Sequence, residues 1–218
     1  MPGVSTAASG VGAHVVVSWM DRLATDVRAD AQRLTQLDAA IGDGDHGINM
    51  TRGLDAVVAA LAAQEGDVPP GRLLIVAGKT MVSTVGGASG PLWGTFLRTT
   101  GRTLGDEPAP GGAALAAALA AGVKGVQELG AAAPGDKTMV DALLPAVEAL
   151  REELAGGASL ADAAARAATV AAEAARATIP LQARKGRASY LGERSVGHED
   201  PGAASTVLVM GALARAVA

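Results

Sequence analysis

Apolar residues recur along this chain at helical spacing, three or four positions apart, instead of alternating. Val16, Trp19, Met20, Leu23 and Val27 form one stripe, and Met139, Leu143, Val147 and Leu150 form another. The pattern predicts eight helices, over residues 12–36, 48–65, 71–84, 90–104, 111–130, 137–155, 159–178 and 202–217. Punctuation fits these bounds. Gly66-Asp67-Val68-Pro69-Pro70 breaks one helix before the next, Ser159 and Asp136 are N-cap candidates, and Pro180 follows the seventh helix. No run of alternating β-branched residues is long enough for a strand, and no repeat or interdomain linker emerges. The expected fold class is all-α: a single domain of antiparallel helices over residues 13–218, behind a flexible extension at 1–12.

Composition narrows the packing. Hydrophobic residues make up 49% of the 218, yet the aromatics are only Trp19, Trp93, Phe96 and Tyr190. Ala, Leu and Val must fill the core, which favours closely packed helices. A net charge of −4 without a basic block argues against a nucleic-acid partner. With no cysteine there is no disulfide framework and no thiolate metal site, which fits a cytoplasmic location. Residues 1–12 lack the basic start and apolar run of a secretory signal. The longest apolar run, Ala113 to Val123, is too short to span a bilayer, so no membrane partner is expected.

The chemistry concentrates in Leu37 to Thr51. Asp38, Asp43 and Asp45 stand among Gly42, Gly44 and Gly47, with His46 between the last two. Three carboxylates converge only if a positive charge offsets their repulsion, and a hard divalent cation with oxygen ligands does so. Gly42 to Gly47 formally fits G-x-G-x-x-G, but no strand precedes it, so the dinucleotide reading fails. An EF-hand fails as well, because the aspartates do not alternate and no glutamate closes the loop. The plainer alternative is a polar turn with Asp45 as an N-cap. One aspartate suffices for a cap; three point to magnesium beside a phosphate held at a helix start.

Other segments stay open on local grounds. Gly130 to Thr138 is a P-loop spoiled by Asp136 before the lysine, and an Ala-rich helix precedes it where a strand is needed. Gly135-Asp136-Lys137-Thr138-Met139 then reads as a capped helix start, and Gly86 to Gly90 as either a helix–helix turn or a phosphate contact. Leu181 to Pro201 is the longest irregular stretch, with Arg184, Lys185, Arg187, Arg194 and regularly placed glycines. A loop of that length in a compact domain is functional or disordered, and its mixed charges and regularly placed glycines favour function over a merely solvated loop.

Four blocks together resemble one family, the nucleotide-binding L subunit of dihydroxyacetone kinase. They are Leu37 to Asn49, Gly86 to Gly94, Gly135 to Leu143, and Arg184 to Ser205, in the family's order and spacing. The resemblance implies a barrel of eight antiparallel helices. It implies that Asp38, Asp43 and Asp45 hold two magnesium ions bridging to the diphosphate of ADP. His46, Gly47, Ile48, Asn49, Ala88 and Ser89 would contact the phosphates. Gly130, Met139 and Arg187 would line the nucleotide site, and Asp200, Pro201 and Gly202 would close it.

The chemistry implied is a relay of a phosphoryl group through bound ADP/ATP to dihydroxyacetone on a partner subunit. A phosphohistidine protein of a phosphotransferase system would be the donor, and homodimerisation stays open. Two alternatives stand beside it. One is an ATP-dependent kinase subunit for a related substrate; the other is a nucleotide-carrying regulatory subunit.

Overall fold

Eight α-helices follow one another in the computed structural model, which describes residues 10–218, through connections that are short except for the long one before the last helix. They are α1 (Ala13–Ile41), α2 (His46–Ala62), α3 (Pro70–Thr84), α4 (Ser89–Leu104), α5 (Gly112–Gly130), α6 (Met139–Ala155), α7 (Leu160–Ala177) and α8 (Pro201–Val217). Each packs against the next, and α8 returns to α1, so the antiparallel helices close into a barrel. No strand occurs among the described residues. The expected all-α class and helix count hold.

Closure rests on the first stripe. Val16, Trp19, Met20, Leu23 and Val27 are all buried, and the Trp19 indole N–H donates to the Val209 carbonyl at 2.9 Å. That bond satisfies the one polar atom of a buried tryptophan while tying α1 to α8. Elsewhere the scarcity of aromatics is met by close approach. The inner face of α7 is alanine throughout, at 163, 164, 167, 171 and 175. In the α3–α4 pair, a Cβ on Gly71 would overlap the Gly105 carbonyl, and one on Gly101 would overlap that of Gly71. Gly78 and Gly94 meet in the same way one heptad inward.

Several sequence-based bounds shift. α1 runs to Ile41 instead of 36, because Leu34 and Ile41 continue its buried stripe. α2 starts at His46, two residues early, so the histidine belongs to the helix. Ser159 caps α7 as expected, its hydroxyl accepting from the Asp162 amide. Asp136 does not cap α6. Thr138 does, in a capping box with Asp141, whose carboxylate accepts the Thr138 amide at 2.8 Å. The stretch 181–201 contains a 3-10 segment, Arg187–Ser195, kinked at Gly192.

The expected flexible extension falls mostly on residues 1–9, outside the described residues. Residues 10–12 are held in place: Val11 is buried, and its amide donates to the Pro110 carbonyl at 2.8 Å. No helix among the described residues is long and apolar enough to cross a membrane.

Candidate active site

Antiparallel alternation puts the starts of α2, α4, α6 and α8 at one end of the barrel, around a cavity of about 440 Å³. Its size is that of a small-molecule site. Asp38, Asp43, Asp45 and His46 line it from the α1–α2 turn, and Gly86 to Ser89 from the α3–α4 turn. Gly130 and Ala132 come from the α5–α6 turn, Lys137 to Val140 from the start of α6, and Asp200 to Gly202 from the start of α8. The walls between are apolar, with Ile41, Leu92, Trp93, Val126, Leu129 and Met139. An acidic rim with Lys185 and Arg187 beside it, above an apolar wall, suits a ligand that is polar at one end, with a cation between it and the carboxylates, and apolar at the other.

The three aspartates converge: one carboxylate oxygen from each lies within 4.8 Å of the others. They are not equivalent. Asp38, in the last turn of α1, accepts the amides of Asp45 and His46 on Oδ2, at 2.8 and 3.1 Å. It therefore caps α2 from outside the helix. Asp45 occupies the N-cap position but makes no capping bond, so the cap of this turn comes from Asp38 and not from Asp45. The same bonds occupy two amides expected to be free for phosphate. Asp43 is exposed and pairs with the Arg187 guanidinium at 3.1 Å.

Behind them His46 is 6% exposed. Its Nδ1 lies 2.9 Å from the Ser89 hydroxyl, and its Nε2 is buried without a hydrogen-bond partner. Burial pushes the imidazole below its usual range, against the opposing pull of Asp38 and Asp45. The all-oxygen carboxylate set is the donor chemistry of magnesium and not of a soft metal. At the neighbouring turn, α4 begins at Ser89 with no side chain capping its first amides. Those amides suit a phosphate.

Asp200 caps α8 by accepting the Ala203 amide at 2.8 Å, and its own amide donates to the Thr178 hydroxyl. Burial pushes its carboxyl up to about 7, with help from the charge of Asp141 and against Lys137 and the α8 amides.

Of the residues singled out from sequence, Gly47, Ile48 and Asn49 do not reach the cavity wall. Gly47 lets α2 press on α1, since a Cβ there would overlap the Ala31 carbonyl. Ile48 is 60% exposed. Asn49 is buried and accepts from Arg52 at 2.7 Å, while Arg52 also donates to the Thr84 carbonyl. The pair thus braces the start of the α3–α4 turn. Among the basic residues of 181–201, Arg187 and Lys185 line the cavity and Arg184 and Arg194 do not. The sequence reading missed the apolar wall, because Leu92, Trp93, Val126 and Leu129 look like ordinary core stripe in one dimension. It also passed over Lys137 and Thr138 when the P-loop was set aside.

Known proteins are similar to this chain in sequence and fold. The family model described as the DAK2 domain matches residues 40–215. The chain is 44% identical to the ADP-binding subunit DhaL of the PEP-dependent dihydroxyacetone kinase of Escherichia coli K12, over 92% of this chain and 95% of that subunit. It is 43% identical to a D-erythrulose kinase of Mycolicibacterium smegmatis, but spans only 34% of that longer protein. Among solved structures, the dihydroxyacetone kinase of C. freundii in complex with AMP-PNP and Mg2+ shares the fold. Its TM-score is 0.71 at 24% identity, over 99% of this chain and 36% of that one. The chain belongs to the DAK2-domain family and, within it, to the DhaL subunits of dihydroxyacetone kinases.

Proposed function

We propose that this protein is the ADP-binding subunit of a dihydroxyacetone kinase, taking a phosphoryl group from a phosphohistidine protein and passing it to dihydroxyacetone on a partner subunit. The observation that carries the reading is the convergence of Asp38, Asp43 and Asp45 at the rim of a cavity whose wall is apolar. The near-complete overlap with a subunit named as ADP-binding supports it. Asp38, Asp43 and Asp45 would hold two magnesium ions, and Ala88, Ser89 and the uncapped start of α4 would hold phosphate oxygens. When bound, Mg-ADP supplies the diphosphate that accepts and donates the phosphoryl group, with its charge neutralised by metal.

The chain's own residues position the ligand. Asp38 fixes the turn that carries the other two carboxylates. Ser89 orients His46 through Nδ1, and Asn49 braces the turn before Ser89 from behind. Arg187 adds a cation at the open side of the cluster, and Gly130, Met139 and Asp200 to Gly202 bound the apolar part of the cavity. Phosphoryl transfer asks mainly for this kind of placement and charge stabilisation.

The test is a purification without added nucleotide, followed by denaturation and identification of what is released. Tightly held ADP, converted to ATP by a phosphohistidine donor, is the expected result. An empty site that never accepts phosphate from such a donor would overturn it. The similarity to a D-erythrulose kinase favours a second reading, in which exchangeable ATP serves a related sugar. Rapid exchange of bound ADP for free ATP would select that reading.

A further inference from the structure

Lys137 belongs to the segment that resembles a spoiled P-loop, and the site as described above gives it no task. Its side chain does not reach toward a phosphate. The residue is 1% exposed, and Nζ donates to the carbonyls of Thr178, Leu181 and Ser195 at 3.0, 2.9 and 2.8 Å. The Ile179 carbonyl lies 3.4 Å from the same Nζ. An ammonium has three protons, so these bonds leave none for a ligand. Four carbonyls from two stretches of chain converge on one buried charge, in the manner of a bound cation.

Those carbonyls define the loop that follows α7. The Ser195 hydroxyl accepts the Ala183 amide at 2.9 Å and donates to the Gly192 carbonyl at 2.6 Å. The Gly197 amide donates to the Ile179 carbonyl, and the Arg184 amide to that of Asp136, beside Lys137. The loop thus folds around Nζ, not around an apolar core of its own. It delivers Lys185, Gly186, Arg187 and Ala188 to the cavity wall, with Arg187 3.1 Å from Asp43. Lys137 also sits at φ +61, a conformation that non-glycine residues rarely adopt and that is kept where the surroundings demand it.

We propose that Lys137 is a positioning residue for the nucleotide: its ammonium holds the loop 181–199 in the shape that places Arg187 against the carboxylate cluster. The inference rests on the reading of the cavity as a nucleotide site. It assigns to a lysine in a phosphate-loop-like sequence a role in which it never touches phosphate. A P-loop lysine acts as a point charge on the ligand; this one acts on the backbone and leaves the charge at the rim to Arg187.

The experiment is a double-mutant cycle on Mg-ADP affinity, using Lys137→Met and Arg187→Ala in the full chain. Methionine keeps the length and removes the donors. Each single variant should raise the Kd about tenfold, and the double variant should be no weaker than either, because one acts through the other. Hydrogen exchange adds a readout that does not depend on activity. The amides of Ala183, Arg184 and Gly197 should exchange as slowly as helical ones in the wild type and quickly in Lys137→Met, while α1 to α8 stay protected. Should that variant fail to fold, Ser195→Ala loosens the same loop and enters the same cycle. Additive effects, an unchanged Kd in the lysine variant, or a loop that already exchanges freely in the wild type would overturn the proposal. Failure of the wild type to bind Mg-ADP would overturn the nucleotide reading itself, a separate and visible outcome.

Discussion

Asp38 caps the helix that Asp45 introduces: its Oδ2 accepts the Asp45 amide at 2.8 Å and the adjacent His46 amide at 3.1 Å. One carboxylate of the cluster therefore carries a structural task as well as a chemical one. The other two do not cap α2, and Asp43 faces outward to Arg187.

The asymmetry separates stability from binding. Asp38→Ala should cost about 1–2 kcal/mol, the usual loss when helix-start amides lose a carboxylate acceptor. Asp43→Asn, at an exposed position, should shift stability by less than about 0.5 kcal/mol. Both should lose Mg-ADP binding. Urea unfolding set beside calorimetric titration reads the two effects separately, and wild-type affinity in Asp43→Asn would remove that residue from the site.

Chelation offers a test without mutation. If the aspartates act through magnesium, excess EDTA should release the nucleotide while the far-ultraviolet circular dichroism stays helical. Magnesium, but not sodium at equal ionic strength, should restore binding.

The α3–α4 contact makes a prediction about packing. Gly71→Ala sets a methyl against the Gly105 carbonyl and should cost about 1–3 kcal/mol as the helices part. Gly211→Ala on α8 meets nothing closer than 3.5 Å and should stabilise by about 0.5–1 kcal/mol through helix propensity alone. Opposite signs for the same chemical change, read from denaturation midpoints, would establish close approach as the cause.

Asp200 gives the fold a pH dependence. Burial holds its carboxyl up at about 7, against an ordinary value of 3.8, so the folded chain keeps a proton that the unfolded chain has released. Its contribution is fully present below the ordinary value and is lost as pH rises through about 7. Asp200→Asn still offers an oxygen to the Ala203 amide but cannot titrate. Between pH 5 and pH 8 the wild type should lose on the order of 2 kcal/mol relative to this variant. Parallel pH profiles for the two proteins would contradict the assignment.

Local pattern was enough to read the helices and the carboxylates. Apolar residues at helical spacing call for helices, and three aspartates among glycines mark a place where carboxylates can converge. The boundaries between α1 and α2 were less legible. Glycines masked the last turn of α1, and only packing shows that Ile41 still belongs to its buried stripe. Asp136 looked like a cap because it precedes a helix. Thr138 took the place because its side chain and that of Asp141 satisfy each other's backbone.

Read alone, the chain yields an inventory: eight amphipathic helices, a cysteine-free and alanine-rich composition, and three carboxylates set among glycines. The tertiary structure decided which residues share the cavity, because closing the ring brings α2, α4, α6 and α8 to one end. It chose Arg187 and Lys185 over Arg184 and Arg194, turned Leu92, Trp93 and Val126 from core stripe into cavity wall, and buried Lys137 among carbonyls. Helical periodicity fixes which way a side chain faces on its own helix. Only the packing of distant helices decides whether that face meets solvent, another helix or a ligand.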